Sequence, residues 1–251
     1  MTAAIPIALH PEHLRRRALA SEPGNPWVTY YDGPTGFRVE LSAATLDNWV
    51  AKAGNLLAEE YDIGPGSVVG VDLGCHWLSH VWTWAVWALG AAVATPDHSH
   101  RAEVIIAAAD RPPAMAADAL WLACPTDPMA RPLGSHTPPP AIDVMADIHT
   151  NPDAIALPSP NPAALVIATA GGDLTGAQAC EMAAALVPPP ARRVLVRCGP
   201  ADITELLATT LSAACHGGST VLVAGAPAAD QLARITRQEA VDADIWNHNT
   251  P

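Results

Sequence analysis

The sequence has little positive charge and only one lysine. Among its 251 residues, Lys and Arg number 13 against 25 Asp and Glu, which gives a formal net charge of −12. A surface this acidic repels phosphate backbones, so a nucleic-acid partner is not expected, and free ATP is not attracted. The one lysine is Lys52, and no other lysine is available for chemistry anywhere in the chain.

The sequence also lacks the cysteine patterns of disulfide frameworks and of metal sites. The cysteines number five, an odd count, and no two of them form a C-x-x-C motif: Cys75, Cys124, Cys180, Cys198 and Cys215. This spacing is typical of reduced thiols in a cytoplasmic protein. The N-terminus has no basic segment ahead of an apolar run, so no signal peptide is predicted.

One long hydrophobic run could be mistaken for a membrane segment. Residues 77–95 contain no Asp, Glu, Lys or Arg, and 19 residues would just cross a bilayer. Gly90 interrupts the run, so we predict a buried helix of about four turns followed by a short strand. The tryptophans of this helix are expected in the core, although some could face a ligand or a partner chain.

Apolar runs that alternate in period predict an α/β protein with mostly parallel sheets flanked by helices. Half of the residues are hydrophobic, which is enough for a sizeable core. The expected order in the first half is a β-hairpin (27–41), a helix capped by Ser42, a strand (67–73), the Trp-rich helix, a strand (91–95), a helix (101–109) and a short strand (114–117).

The chain is expected to divide into three parts. Residues 1–124 form an N-terminal α/β half, residues 125–162 form a linker or excursion in which ten of 38 residues are proline, and residues 163–251 form a second α/β half; one continuous domain remains an alternative. The second half is predicted to contain strands at 164–169, 192–198, 219–225 and 241–247, with helices between them through about 187, at 202–217 and at 228–240.

Five stretches between residues 27 and 225 form an ordered set of motifs. They are "TYYDGPTGFRVELSAATLDNWVAKAGNLL", "YDIGPGSVVGVDL", "HWLSHVWTWAVWALGAAVATPDHSH", "ALVIATAGGDLTGAQA" and "LSAACHGGSTVLV". Together they resemble the N-terminal part of the adenylate-forming superfamily, which includes acyl-CoA synthetases, nonribosomal-peptide adenylation domains and luciferases. The resemblance implies the N-terminal subdomains of those enzymes as the fold.

The resemblance places the fourth stretch where the superfamily keeps a phosphate loop of the pattern T-S-G-[ST]-T-G-x-P-K-G. The residues that would contact the phosphates of ATP or AMP are then Thr169, Gly171, Gly172, Thr175 and Gly176. Such a loop presents backbone N–H groups and a helix N-terminus to an anion, usually with the help of a cation.

This loop departs from the superfamily's pattern. Asp173 and Leu174 are extra residues, and residues 177–179 stand where the proline and lysine should follow. Asp173 would place a negative charge beside a triphosphate. We therefore expect a loop with a structural role and no cofactor, and weak nucleotide or acyl-adenylate binding is the alternative.

The resemblance further implies a truncated protein, because the chain ends about halfway through the superfamily's length. The missing part would carry the ribose-binding aspartate and a catalytic lysine that Lys52 cannot replace. The expectation is a non-catalytic cytoplasmic binding or interaction protein, and the alternative is one subunit of an ATP-dependent carboxylate-activating enzyme completed by another chain. A protein partner or a second copy would cover the apolar face left by truncation; neither nucleic acid nor membrane is expected as a partner.

Histidines provide the other candidate site. His98 and His100 follow the strand at 91–95, and the carboxyl edge of a parallel sheet is where open α/β folds bind ligands. These two residues are therefore expected to line a cleft, and a small-molecule or metal-dependent activity at this cleft is a third hypothesis for the function. His76 and His80 have the i, i+4 spacing of zinc ligands, but no glutamate completes a hydrolase motif, so no metal site is predicted.

Overall fold

The structure is a computed structural model that describes residues 9–197 and 201–245. Its α-helices are α1 (Pro11–Ser21), α2 (Ala43–Tyr61), α3 (Trp77–Ala88), α4 (Gly176–Ala185), α5 (Ile203–Thr210), α6 (Ser212–Cys215) and α7 (Ala229–Gln238). Its strands are β1 (Pro26–Asp32), β2 (Arg38–Ser42), β3 (Val68–Asp72), β4 (Ala92–Ala94), β5 (Val104–Ala108), β6 (Leu120–Cys124), β7 (Ile142–Asp143), β8 (Leu165–Ala168), β9 (Leu174–Thr175), β10 (Arg193–Val196), β11 (Ser219–Ala224) and β12 (Ala243–Ile245). Short 3-10 helices cover Pro96–Arg101, Gly134–His136 and Ile148–Thr150.

The strands form two mostly parallel sheets, which confirms the predicted fold class. The seven-stranded sheet has the order β7-β6-β5-β3-β4-β8-β9, and only the β8–β9 pair is antiparallel. The five-stranded sheet has the order β12-β10-β11-β1-β2, and only the hairpin pair β1–β2 is antiparallel. Each sheet takes strands from both sides of residues 125–162, so neither sheet belongs to one half of the sequence.

The hairpin and the helix after it form as predicted. The Ser42 hydroxyl accepts a hydrogen bond from the backbone N–H of Thr45 at 3.1 Å and so caps α2. Leu46, Val50 and Leu57 share one face of α2 and are fully buried. The helix ends where Asp62 adopts a left-handed conformation with φ 54°, just before Gly64 and Gly66.

Helix α3 lies in the main core and contacts elements of both sheets. All of its residues are buried, including Trp82, Trp84 and Trp87. The Trp84 ring meets the Trp27 ring of β1 edge to face, with 5.2 Å between centroids, and the Trp87 indole donates a 2.8 Å hydrogen bond to the Val166 carbonyl of β8. Each buried indole contributes roughly 5 kcal/mol of hydrophobic stabilisation as an upper bound.

These tryptophans therefore form the core, as the sequence predicted. Within residues 9–197 and 201–245, the structure contains no helix long and apolar enough to span a bilayer.

Two predictions for the first half are wrong. The helix expected at 101–109 is strand β5, which lies between β6 and β3 inside the seven-stranded sheet and is fully buried. A strand buried on both faces has a continuous apolar sequence, and so does a short buried helix. The β-branched residues of the run Val104–Ile106 favour the strand. The strand expected at 114–117 is irregular chain, and the next strand is β6.

The second half follows the predicted order with smaller differences. The helix expected at 202–217 is divided at Leu211 into α5 and α6, and the short strand β9 was not predicted. The strands predicted at 192–198 and 241–247 correspond to β10 and β12. Their last predicted residues, including Cys198, lie outside the residues that the structure describes.

The proline-rich segment has little regular structure, as expected, but it is fastened to α2. The Asn55 side-chain amide donates to the carbonyls of Pro152 and Ala154 at 3.1 and 3.0 Å. The Lys52 ammonium donates to the Asn151 carbonyl at 2.7 Å and pairs with the Asp153 carboxylate at 2.7 Å. The chain's one lysine is thus an anchor for the segment.

Candidate functional site

The two predicted sites lie next to each other at the carboxyl edge of the seven-stranded sheet. β4 and β8 are neighbouring parallel strands, so the 3-10 helix Pro96–Arg101 and the loop after β8 leave the sheet side by side. The backbone N–H of Thr95 donates to the Ala168 carbonyl at 3.3 Å and joins the two connections. His98 and His100 therefore stand beside the glycine-rich loop.

The first half of the loop is folded around Thr169. The Thr169 hydroxyl accepts the N–H of Gly171 at 3.1 Å and donates to the Gly172 carbonyl at 3.0 Å. The N–H of Gly172 donates back to the Thr169 carbonyl at 3.3 Å. Gly172 has φ +122°, a conformation that residues with a side chain rarely adopt. Both glycine N–H groups of this half are therefore used inside the loop.

The second half of the loop begins helix α4 with a complete capping box. Thr175 and Gln178 each bond the other's backbone N–H through the side chain, at 3.4 and 2.9 Å. The N–H of Gly176 donates to the Ala164 carbonyl at 3.0 Å, and that of Ala177 donates to the Pro162 carbonyl at 3.0 Å. A helix N-terminus binds an anion through its unpaired N–H groups. Here Gly176, Ala177 and Gln178 already have protein acceptors.

Gly176 is required for packing between α4 and the start of α1. A Cβ atom at this position would lie 2.9 Å from Cδ2 and 3.2 Å from Cα of His10. His10 is the N-cap of α1, and its ring accepts the Glu12 N–H, so it cannot easily retreat. The glycine therefore serves the fold, whatever the loop binds.

Asp173 is neutralised by an arginine from the neighbouring connection. The Arg101 guanidinium donates to the Asp173 carboxylate at 2.7 Å, and each side chain is about one third exposed. The hydrogen bond from Arg101 lowers the pKa of Asp173 below its ordinary value. The carboxylate is therefore ionised at neutral pH, and it engages a cation at the edge of the loop.

The His98 and His100 rings contact each other beside this ion pair. Their centroids are 4.4 Å apart with a T-shaped geometry, and no hydrogen-bond partner for the buried Nδ1 of His98 is found among the described residues. In the described ranges, no group of three or more His, Cys, Asp or Glu side chains is placed to hold a metal ion. The arrangement can present imidazole nitrogens and the Arg101–Asp173 ion pair to a ligand at the sheet edge.

His76 and His80 lie elsewhere, in the core of the protein. His76 caps α3 by accepting the Leu78 N–H at 3.2 Å, and His80 is fully buried. Burial lowers the pKa of His76 to about 4 and that of His80 to about 3. Both rings are therefore neutral at pH 7, and they do not join the loop or the His98–His100 pair.

A separate cavity of about 580 Å³ lies further along the same edge, at the ends of β5 and β6. Its lining residues are Ala109, Asp110, Pro125, Thr126, Asp127, Arg131, Pro132, Leu133 and His136. Arg131 is already bound to the Asp127 carboxylate at 2.8 and 3.0 Å, which lowers the pKa of Asp127. Arg131 and Asp127 therefore satisfy each other, and Asp110 is a further carboxylate in the lining.

Sequence reasoning missed Arg101 and His10 as determinants of the loop. Arg101 directly follows the predicted His98–His100 cleft, and Asp173 is the loop's acidic residue. Their opposite charges are the signal that could have suggested the pair, once β4 and β8 were placed side by side. Nothing in the local sequence indicates that His10 packs against Gly176, since 166 positions separate them.

Comparison with known proteins supports the fold and leaves the activity open. No family model matches the sequence. A "TIGR03089 family protein" of Mycobacterium tuberculosis is 45% identical over 93 residues, and these residues make up 37% of each protein. The crystal structure of an acyl-CoA synthetase of Brucella canis superposes with a TM-score of 0.73 at 14% sequence identity, over 97% of this chain and 48% of the synthetase.

The chain thus has a fold similar to about half of an acyl-CoA synthetase, as the motifs predicted. It also covers a little over a third of the mycobacterial relative. At 14% identity, the superposition establishes that the two chains share an α/β fold. It carries no information on whether they share an activity.

Proposed function

We propose that this chain is a non-catalytic protein with the fold of an adenylate-forming enzyme, acting in the cytoplasm by binding or interaction. The observation that carries the proposal is the state of the glycine-rich loop. The N–H groups of residues 171, 172, 176, 177 and 178 all donate to acceptors within the chain. A phosphate entering the loop would have to displace these bonds.

The charges around the loop support the same conclusion. A triphosphate site usually combines free N–H groups with a lysine or arginine. Lys52 is fixed on α2 by Asn151 and Asp153, and Arg101 is paired with Asp173. A nucleotide would thus meet the Asp173 carboxylate and would compete with it for Arg101.

A second candidate function is one subunit of an ATP-dependent carboxylate-activating enzyme completed by another chain. The observation that favours it is the superposition with 48% of a synthetase chain, together with a loop at the same carboxyl edge as His98 and His100. This function requires a partner to supply the remaining catalytic groups and to open the loop.

A thermal-shift series with Mg-ATP, AMP and a non-hydrolysable acyl-adenylate analogue tests the proposal. A ligand that binds the native state alone must raise the melting temperature. We expect no saturable shift at millimolar ligand, in the wild-type protein or in the variant Ala170→Glu, which adds charge to an exposed loop residue. The control variant Ala146→Glu adds the same charge at an exposed residue of the proline-rich segment.

A saturable shift in the wild type and in Ala146→Glu that disappears in Ala170→Glu would overturn the proposal. It would show that the loop binds nucleotide, and it would favour the subunit of a two-chain enzyme.

A further inference from the structure

A cavity of about 390 Å³ opens at the opposite edge of the other sheet, where the parallel strands β1, β10 and β11 begin. Its lining residues are Leu14, Arg17, Ala18, Ser21, Glu22, Asn25, Pro26, Trp27, Ala43, Arg192, Arg193, Ala214, Gly217, Gly218 and Ser219. The volume lies in the range of small-molecule sites. This cavity has no part in the function proposed above.

The cavity has an apolar floor. Leu14 of α1, Trp27 of β1 and Ala43 of α2 are almost completely buried beneath it. The turn between α6 and β11 closes one side, and it can do so only through glycine. A Cβ atom on Gly218 would lie 1.9 Å from the Arg192 carbonyl oxygen, and Gly217 has φ +68°. Gly217 and Gly218 therefore allow this wall of the cavity to pack against the start of β10.

Two arginines at the cavity have no carboxylate partner among the residues that the structure describes. Most basic side chains in the described part of this acidic chain form ion pairs. The exceptions are Arg17, Arg192, Arg234 and Arg237. The first two of these line the cavity and are exposed. Their concentration at one cavity distinguishes it from the rest of a surface with a net charge of −12.

The other charged groups nearby bond to partners within the chain. Arg193 in the wall donates to Ser219 and Thr29 and pairs with Glu239. The Glu22 carboxylate lines the cavity and accepts the Asn25 side-chain amide at 2.6 Å.

The Asp242 carboxylate, close to the base of Arg192, accepts the backbone N–H groups of Arg192 and Arg193 at 2.9 to 3.0 Å. Neither Glu22 nor Asp242 forms an ion pair with Arg17 or Arg192. Arg17 is held at the rim by one bond from its guanidinium to the Ala214 carbonyl at 3.2 Å, which leaves its other donors for a ligand.

We propose that this cavity binds a small organic carboxylate with a compact apolar body. The carboxylate would accept hydrogen bonds from the Arg17 and Arg192 guanidinium groups, whose planar donors match a carboxylate. The apolar body would cover Leu14, Trp27 and Ala43. The site is distinct from the glycine-rich loop and does not depend on the function proposed for it.

Calorimetric titration of the purified chain with phenylacetate tests this site, with phenylacetamide as the uncharged analogue and inorganic phosphate as an anion without an apolar body. We expect saturable binding of phenylacetate and at least about tenfold weaker binding of the other two probes. In the double variant Arg17→Gln/Arg192→Gln, phenylacetate binding should fall by at least about tenfold as well.

The matched control is Arg234→Gln/Arg237→Gln, which removes the same charge from the two unpaired arginines of α7 and should bind phenylacetate like the wild type. The melting temperatures of both double variants verify that they are folded. Absence of saturable phenylacetate binding, equal binding of phenylacetamide, or unchanged affinity in the Arg17/Arg192 variant would overturn the proposal. Tighter binding of phosphate than of phenylacetate would also overturn it.

Discussion

At the scale of single residues, the loop is defined by contacts with distant parts of the chain. Arg101 approaches Asp173 from the connection after β4, and His10 approaches Gly176 from the N-cap of α1. Both contacts join segments that are far apart in the sequence. The loop's composition draws attention to its glycines, but it cannot show which distant segments they contact.

The Arg101–Asp173 pair leads to a prediction about ionisation. In Arg101→Gln, the pKa of Asp173 should rise toward its ordinary value, because the hydrogen bond that stabilises the carboxylate is lost. The pair is partly exposed, so the free energy of unfolding should change by less than about 1 kcal/mol. A pH titration of the Asp173 carboxyl carbon by NMR measures the pKa. An unchanged pKa would show that the pair does not form in solution.

Gly176 leads to a prediction about packing. Gly176→Ala should destabilise the protein by about 1–3 kcal/mol, because the new methyl group overlaps His10. Gly24→Ala is the matched control, since its Cβ would meet nothing within 4 Å. Urea unfolding measures both variants. Equal stability of the two alanine variants would contradict the close approach of α1 to α4.

At the scale of secondary structure, the sequence correctly predicted those elements whose hydrophobic pattern and capping residues fit either a helix or a strand, but not both. The helix capped by Ser42 and the hairpin at 27–41 are both present in the structure. β5 was mistaken for a helix because an apolar run buried on both faces carries no period-2 signal. β9 is two residues long and exists through its pairing with β8, which a local pattern cannot show.

The buried histidines lead to a prediction about pH. His10, His76 and His80 have pKa values lowered mainly by burial to about 4, 4 and 3, against 6.5 in the unfolded chain. Below pH 6.5 the unfolded chain binds protons that the folded protein does not. The stability is therefore complete above pH 6.5 and should fall as the pH decreases, by about 1.4 kcal/mol per pH unit for each histidine.

Urea unfolding between pH 7 and 5 measures this slope, and His80→Leu provides the variant. His80 is fully buried and its ring bonds no side chain among the described residues, so leucine should be tolerated at pH 7. In His80→Leu, the pH dependence of the free energy of unfolding should be smaller by the contribution of one histidine, up to about 1.4 kcal/mol per pH unit. A slope that His80→Leu leaves unchanged would show that His80 is not the buried, neutral group described here.

The anchor of the proline-rich segment leads to a prediction about local opening. Asn55→Ala removes the two hydrogen bonds to the carbonyls of Pro152 and Ala154. Amide hydrogen exchange should accelerate in residues 151–157 and stay unchanged in the β3–β4 region. Asn25→Ala, which removes an exposed side-chain bond to Glu22, is the control. Equal acceleration in both sheets would indicate global destabilisation in place of a released segment.

At the scale of the whole molecule, the resemblance of ordered motifs predicted the architecture better than any one motif could. The superposition with an acyl-CoA synthetase extends over 97% of the chain, although the identity is 14%. The order of apolar runs survives such divergence because it is set by burial, whereas the loop chemistry depends on a few residues. The halves read from the sequence share both sheets, because strand pairing crosses the proline-rich segment.

The interaction role proposed for the chain concerns its exposed surface. Among the residues that the structure describes, the exposed large apolar side chains are Phe37, Leu120, Met129, Ile142 and Met182. Light scattering coupled to size-exclusion chromatography measures the molar mass in solution and so shows whether the chain self-associates. We propose a protein partner or self-association for this surface, and we propose no nucleic acid, since the net charge is −12.

An NMR titration of the labelled chain with AMP and with Mg-ATP, following the backbone amides of Gly171, Gly176 and Ala177, tests the glycine-rich loop most sharply. We expect no saturable chemical-shift change at these amides up to millimolar nucleotide, because their N–H groups are bonded within the chain. Saturable changes centred on the three amides would show that the loop binds nucleotide and would overturn the proposal of a non-catalytic protein whose loop is closed to phosphate.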